Sequence, residues 1–314
     1  MFGIKTKIKR CIAHCIAASF SSSHDKTLEE LDFNKKYKAY IPTYEKSNQI
    51  VHPDILVRIT SPKYVLVFTP YPNTNDKFEN PSIVISDDGI NFHEEKKGLN
   101  PLVPPPVQDH NDDPDISFHD NKYHILYLET VRPDYQNLIL LTSTDRINWE
   151  KEILNHEIIS KDKPQFMLSP TLIYSKDECF LFAVNKDISS KNTLYIVKGA
   201  DLQSLDFSNK IGLNLLGISM EYQPWHVDVF KDDKSNYIML LCMVTPYSAK
   251  NKEYSLFIGI SKDLINWNFQ KTPVLKNCYR SSGFVKDGVL YIYFSSNIYA
   301  DVWKTGLYKT KLEY

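Results

Sequence analysis

His52-Pro53-Asp54-Ile55, Asp113-Pro114-Asp115-Ile116, Ser169-Pro170-Thr171-Leu172 and Gln223-Pro224-Trp225-His226 are four versions of one motif, in which a polar residue and a proline open a short apolar run. The prolines lie 61, 56 and 54 residues apart. A fifth opening, Arg280-Ser281-Ser282-Gly283-Phe284, follows at a similar distance without the proline. A second signature recurs late in the units, as Ser86-Asp87-Asp88-Gly89-Ile90-Asn91-Phe92, Ser143-Thr144-Asp145-Arg146-Ile147-Asn148-Trp149 and Ser261-Lys262-Asp263-Leu264-Ile265-Asn266-Trp267, with a worn copy from Gly199 to Phe207. A fixed period of this size marks repeated supersecondary units that bury their faces against one another.

Each unit reads as β. Runs such as Tyr64–Phe68, Tyr123–Leu128, Phe180–Val184 and Val289–Phe294 are short, β-branched and aromatic, and are bounded by Asp, Asn, Lys and Gly. The Asp-x-x-Asn-aromatic signature suits a tight turn between outer strands, its aromatic packing between neighbouring units. Four antiparallel strands in each of five units predict an all-β, five-bladed propeller over residues 37–314. The last unit ends after its third strand, so a strand near Tyr37–Tyr44 is expected to complete it and close the ring.

The 314 residues carry a net charge of −1, which argues against a nucleic-acid partner. Five cysteines show no metal spacing and no disulfide framework, which favours a reducing compartment. Residues 1–36 read as an extension. Within it, Lys5, Lys7, Lys9 and Arg10 flank Ile4, Ile8, Ile12 and Ile16, the pattern of a basic amphipathic helix. That helix can lie on an anionic membrane surface or dock on the propeller, and it is too short to span a bilayer. The expected location is cytoplasmic, with peripheral contact at the inner membrane through residues 1–20.

In a propeller the innermost strands all begin at one end of the central channel, and the loops before each third strand lie at the same end. That end should gather His52, Asp54, Arg58, Glu79, His110, Asp113, Asp115, Glu221, Trp225, His226, Asp228, Tyr279 and Arg280. Acids, imidazoles, an arginine and aromatics meeting in one funnel describe a carbohydrate site. Asp54 is the first choice for a catalytic carboxylate, taking a proton or facing an oxocarbenium ion. Capping the strand-entry turn is its structural alternative. Asp115 is the equivalent residue in the second unit. Asp228 and His226 alternate on one strand and share a face. Trp225 can stack on a sugar or wedge between blades, and Arg280 suits an anionic group.

With Asp at the start of units one and two, the chain from Val51 to Tyr314 resembles the furanosidase superfamily. Its members are glycoside hydrolase families 43, 32, 62 and 68, the family 130 phosphorylases and related glycosyltransferases. The resemblance implies Asp54 as base or nucleophile and Asp115 as the residue that tunes its pKa and holds the sugar. It also implies a general-acid glutamate two residues before the third proline, where this chain has Leu168. An alkoxide leaving group needs a proton, and only Glu79 or Glu221 stand ready to replace that acid. A phosphate leaving group departs without one. The expected function is therefore a glycosyltransferase of surface-polysaccharide assembly. It would move a furanose unit such as phosphoribosyl from a sugar-phosphate donor to a glycan acceptor. The residues do not decide whether a divalent metal accompanies the donor. The alternatives are a furanoside hydrolase or phosphorylase and a non-catalytic carbohydrate-binding propeller.

Overall fold

Five sheets surround a central channel in the computed structural model, which describes residues 20–159, 162, 164–245, 252–299 and 301–312, with Ile298 and Tyr299 as backbone only. The amphipathic helix expected at the N-terminus lies outside these residues except for Phe20. The innermost strands are Ile50–Val57, His110–His119, Gln165–Tyr174, Gln223–Lys231 and Arg280–Lys286, one per blade, each at its expected opening. Each pairs antiparallel with the strand that follows it, and the blades continue outward as meanders. Blade one has three full strands, and its fourth edge is reduced to a bridge between Ile85 and His93.

The ring closes as the sequence predicts. Tyr37–Lys38 pairs antiparallel with Val302–Lys311, placing Tyr37 opposite Leu307 as the outer strand of blade five. Leu28 and Leu31, which the sequence assigns to the extension, are buried in the same core cluster as Tyr37, Phe68 and Tyr293, between blades five and one. Closure by pairing the two ends of the propeller removes an exposed sheet edge.

The Asp-x-x-Asn turns have one construction. Asp88 accepts hydrogen bonds from the backbone N–H groups of Ile90 and Asn91 and from the Asn91 amide. Asp145 and Asp263 do the same for Ile147 and Asn148 and for Ile265 and Asn266. The aromatic that ends the turn is drawn inward. The Trp267 indole donates to the Leu264 carbonyl and stands edge-on to Phe182 of the preceding blade at 6.0 Å. These turns therefore fix spacing and inter-blade packing, at the end of the channel opposite the strand openings.

Candidate functional site

Three openings share a backbone irregularity that aims side chains into the channel. His52, Asp113 and Ser169 each precede a proline with φ of 54°, 52° and 53°, and at each the ladder to the second strand skips two residues. Left-handed backbone is unfavourable for residues with a Cβ and persists where surrounding contacts impose it. In blade four the irregularity is a single residue, Trp225, between Pro224 and His226. The equivalent of His52 there is therefore His226, three residues beyond the position that proline spacing suggests. In blade five it is Arg280, with no bulge.

These residues form the upper ring. His226 Nδ1 and His52 Nε2 lie 3.3 and 3.4 Å from Asp113 Oδ1, and Arg280 Nη1 donates to the same oxygen at 2.7 Å. Asp113 Oδ2 accepts from the Ser169 backbone N–H at 2.8 Å. All four charged or ionisable side chains are buried. Neither ring nitrogen of His226, nor Nε2 of His52, has a hydrogen-bond partner among the described residues. Burial lowers the His52 pKa to about 4 against the pull of Asp113, and it lowers His226 further. Both imidazoles are therefore neutral near pH 7. Burial would raise the Asp113 carboxyl, but its pKa is lowered overall, and with both imidazoles neutral the Arg280 guanidinium and the Ser169 N–H are what hold it ionised.

Glu79 approaches from the loop before the third strand of blade one. Its Oε2 lies 3.4 Å from His52 Nδ1 and accepts from the Thr69 hydroxyl at 3.4 Å. Burial raises its pKa well above the ordinary range; His110 opposes this, while Asp112, Asp113 and Asp76 add to it. Glu79 is thus a buried carboxylic acid that keeps its proton. His110 is the opposite case. Burial disfavours its charge, yet the charge and hydrogen bond of Asp112, with Asp109, raise its pKa to about 10.

Two residues further along the strands is a lower ring of different character. Asp54 accepts from the Ile116 N–H of blade two at 2.5 Å and from the Ser282 hydroxyl of blade five at 2.6 Å. Asp115 accepts from Leu172 of blade three at 3.2 Å, and Asp228 from Thr171 at 3.4 Å and Gly283 at 3.2 Å. The Ile55 N–H donates to Ser282 and completes the circuit. Burial first, then the neighbouring carboxylates, raises Asp115 well above the ordinary carboxylate range and Asp228 to about 8. Burial also raises Asp54, against its bonds from Ile116 and Ser282.

The single funnel expected from the sequence is therefore divided. Asp54, Asp115 and Asp228 line a cavity of about 400 Å³ that continues toward Leu56, Ser117 and Phe230, away from the strand openings. Asp54 has both oxygens engaged across blades, which matches its structural alternative more closely than a free base. Arg58 is six residues past His52, roughly 20 Å at strand rise. It stacks on Phe118 at 3.3 Å at the far end and leaves the site altogether. Glu221 stands exposed in the turn before Gln223–Lys231. Arg280 has a structural duty after all, a buried ion pair with Asp113, so it is not free to hold a phosphate. Leu168 is packed in the apolar core of blades three and four, and it offers no acid.

Beside the upper ring stands an aromatic wall. Tyr279 lies 4.8 Å from His226 and 5.8 Å from His52 between ring centres, and contacts Trp225, Tyr254 and Trp303. Beyond it opens a cavity of about 440 Å³ lined by Tyr71, Tyr254, Tyr279, Trp303 and Lys252. Rings with a few polar groups beside buried imidazoles that keep unpartnered ring nitrogens suit saccharide binding. Another cavity of about 390 Å³, lined by His119, His124 and Tyr174, shares no residue with this cluster. The sequence reading missed Tyr254, Lys186 and Lys252. It places both lysines in loops at this end, though Lys186 lies within the strand Cys179–Asp187, and a lone lysine there gives no further signal.

The fold is that of the family 43 glycoside hydrolases. A thermostable family 43 glycoside hydrolase aligns with TM-score 0.62 and 14% identity, covering 85% of this chain and 90% of that one. An exo-1,5-α-L-arabinanase from a bovine ruminal metagenomic library aligns with TM-score 0.59 and 15% identity, covering 85% and 94%. Higher similarity is found to an N-acetylgalactosamine deacetylase from F. plautii in complex with blood group B trisaccharide, with TM-score 0.74, 20% identity and coverage of 88% and 94%. In sequence, the chain is 25% identical to an A type blood N-acetyl-α-D-galactosamine deacetylase of Flavonifractor plautii, over 89% of this chain and 44% of that protein. The chain thus spans less than half the length of that curated relative. No family model matches it. These relatives overturn the glycosyltransferase expectation, since they are hydrolytic enzymes and Arg280 is committed to Asp113. Neither a phosphoribosyl donor nor a transferase relative finds support.

Proposed function

We propose that this propeller is a carbohydrate hydrolase that removes the N-acetyl group from an acetylated amino sugar. The observation that carries the reading is the upper ring, in which two neutral, buried imidazoles turn ring nitrogens without hydrogen-bond partners, His52 Nε2 and His226 Nδ1, toward one ionised carboxylate oxygen beside an aromatic cleft. The deacetylase similarity in both sequence and structure supports it. Glycosidic cleavage is less well served. That reaction needs a protonated acid at the leaving oxygen, and Leu168 occupies the place the furanosidase resemblance reserves for it.

His52, Asp113 and His226 each offer a ligand atom, all within 4.8 Å of one another. Separations near 3.4 Å are about what bonds of ~2.1 Å subtend at a tetrahedral centre. Asp113 Oδ1 keeps a lone pair beside its Arg280 bond. Buried ring nitrogens without partners fit a divalent cation. A bound cation would supply Lewis-acid polarisation of the acetyl carbonyl. The chain's own residues do the rest. The aromatic wall orients the sugar, and burial excludes bulk water. Water adds to the acetyl carbon, the C–N bond breaks, and acetate and a free amine leave. Glu79 enters protonated and gives its proton to the departing nitrogen, and the proton released by the water restores it.

The test is acetate release from N-acetylhexosaminides, measured before and after chelation and after readdition of Zn²⁺ or Mn²⁺. Loss on chelation, recovery on readdition and a dead His226→Ala variant are expected. Full activity in His226→Ala would remove the upper ring from the chemistry.

A further inference from the structure

Three cations at the strand-opening end are paired with carboxylates. Arg280 bonds Asp113, Arg132 makes two bonds to Asp109 at 2.7 and 2.6 Å, and His110 lies 3.1 Å from Asp112. Lys186 and Lys252 have no carboxylate partner among the described residues, and they share one ring. Both ammonium groups sit over the Trp225 ring, at 5.1 and 5.7 Å from its centre. They come from different blades, since Lys186 is the penultimate residue of the strand Cys179–Asp187 of blade three and Lys252 precedes Tyr254–Ser261 of blade four.

Holding two like charges on one indole is unfavourable. Burial lowers the Lys186 pKa, and the charges of Arg132 and Lys252 lower it further. Asp112 and Asp113 act on Lys186 in the opposite sense, but both are already committed to His110 and Arg280. The Trp225 indole N–H is a third donor at the same place, buried and without an acceptor among the described residues. Trp225 is the bulged residue of its strand and adjoins His226, at 5.8 Å between ring centres. Lys252 also lines the aromatic cavity of about 440 Å³. Three donors without an acceptor therefore flank the reaction centre on the side where a saccharide would continue.

We propose that Lys186, Lys252 and the Trp225 indole form a subsite for an anionic substituent, so that the preferred substrate is an acidic glycan. Its carboxylate, sulfate or phosphate would lie on or next to the N-acetylated sugar. The position of that sugar rests on the deacetylase reading, but binding can be measured without turnover.

Calorimetry should compare an unsulfated chondroitin tetrasaccharide, which carries glucuronate beside N-acetylgalactosamine, with the neutral chitin tetrasaccharide. A sulfated chondroitin tetrasaccharide distinguishes sulfate from carboxylate. At low salt an acidic ligand should bind at least about tenfold more tightly than the neutral one. The preference should shrink in 0.5 M salt, as exposed charge pairs are screened at ~3–5 Å in that range. Lys186→Met and Lys252→Met should each reduce it, and Lys186→Arg should restore it. Lys252 is exposed, so its replacement leaves folding intact. Equal affinity for acidic and neutral ligands, or a preference untouched in both Met variants, overturns the subsite. Tight acidic binding without acetate release would keep the subsite and sink the deacetylase reading instead.

Discussion

The upper and lower rings of the channel are built from the same five strands, two residues apart, yet they spend their polar groups differently. In the lower ring, Asp54, Asp115 and Asp228 each accept bonds from the backbone of the next blade. Their carboxyls are raised by burial and by one another, so the ring holds protons and stitches the propeller together. In the upper ring, Asp113 also bonds the next blade, but it keeps its charge and faces, across Oδ1, the unpartnered Nε2 of His52 and a His226 ring with no hydrogen bond at all among the described residues. Satisfied polar groups stabilise; unsatisfied, buried ones are retained where a ligand completes them. The difference separates scaffold from site better than residue type does.

The sharpest way to break this contrast is to remove one member of each ring. His226→Ala should fold and lose about 10²–10⁴ in kcat/KM for acetate release, the range of a group acting at the reacting atoms. Asp54→Ala should do the reverse. It strands the Ile116 N–H and the Ser282 hydroxyl, at about 1–3 kcal/mol each, and lowers Tm while the folded fraction keeps its kcat/KM. A stable but inactive Asp54→Ala would return Asp54 to the catalytic role that the sequence suggested.

A smaller effect concerns pH. Asp228 has a folded pKa of about 8 and His110 of about 10, both above their unfolded values. Between pH 6.5 and 8 the folded state therefore holds protons that the unfolded chain releases, and stability falls as pH rises. The lowered His52 and His226 work in the opposite direction, but only below about pH 6.5. Thermal melts should show Tm declining from pH 6.5 to 8, with a shallower decline in Asp228→Asn. A slope unchanged in that variant would mean that Asp228 is already ionised at pH 6.5.

Much of the architecture was legible because repetition is a property of sequence. Pro53, Pro114 and Pro170 mark three blades in register, and Asp88, Asp145 and Asp263 mark three identical turns. Even the closing strand follows from a last unit that stops one strand short. Blade four misled at one point, because its bulge is one residue instead of two, and Pro224 therefore does not correspond to Pro53. The site was harder to read. Asp54 and His52 are one proline apart in the chain, and only the left-handed turn at His52 decides which faces the strand-opening end. Arg280 looked free because its partner, Asp113, is 167 residues away. Pairings at that separation leave no local pattern, so a phosphate site inferred from a loose arginine had nothing to check it.

The most direct test of the account is to identify the bond cleaved. The protein would be incubated with an N-acetylgalactosaminide, and the products resolved by mass spectrometry and proton NMR. The account predicts acetate and a free amine in equal amounts with the glycosidic linkage intact. Release of the sugar with its N-acetyl group still attached would contradict it, and would show that the propeller is a glycosidase with an acid other than a residue at position 168.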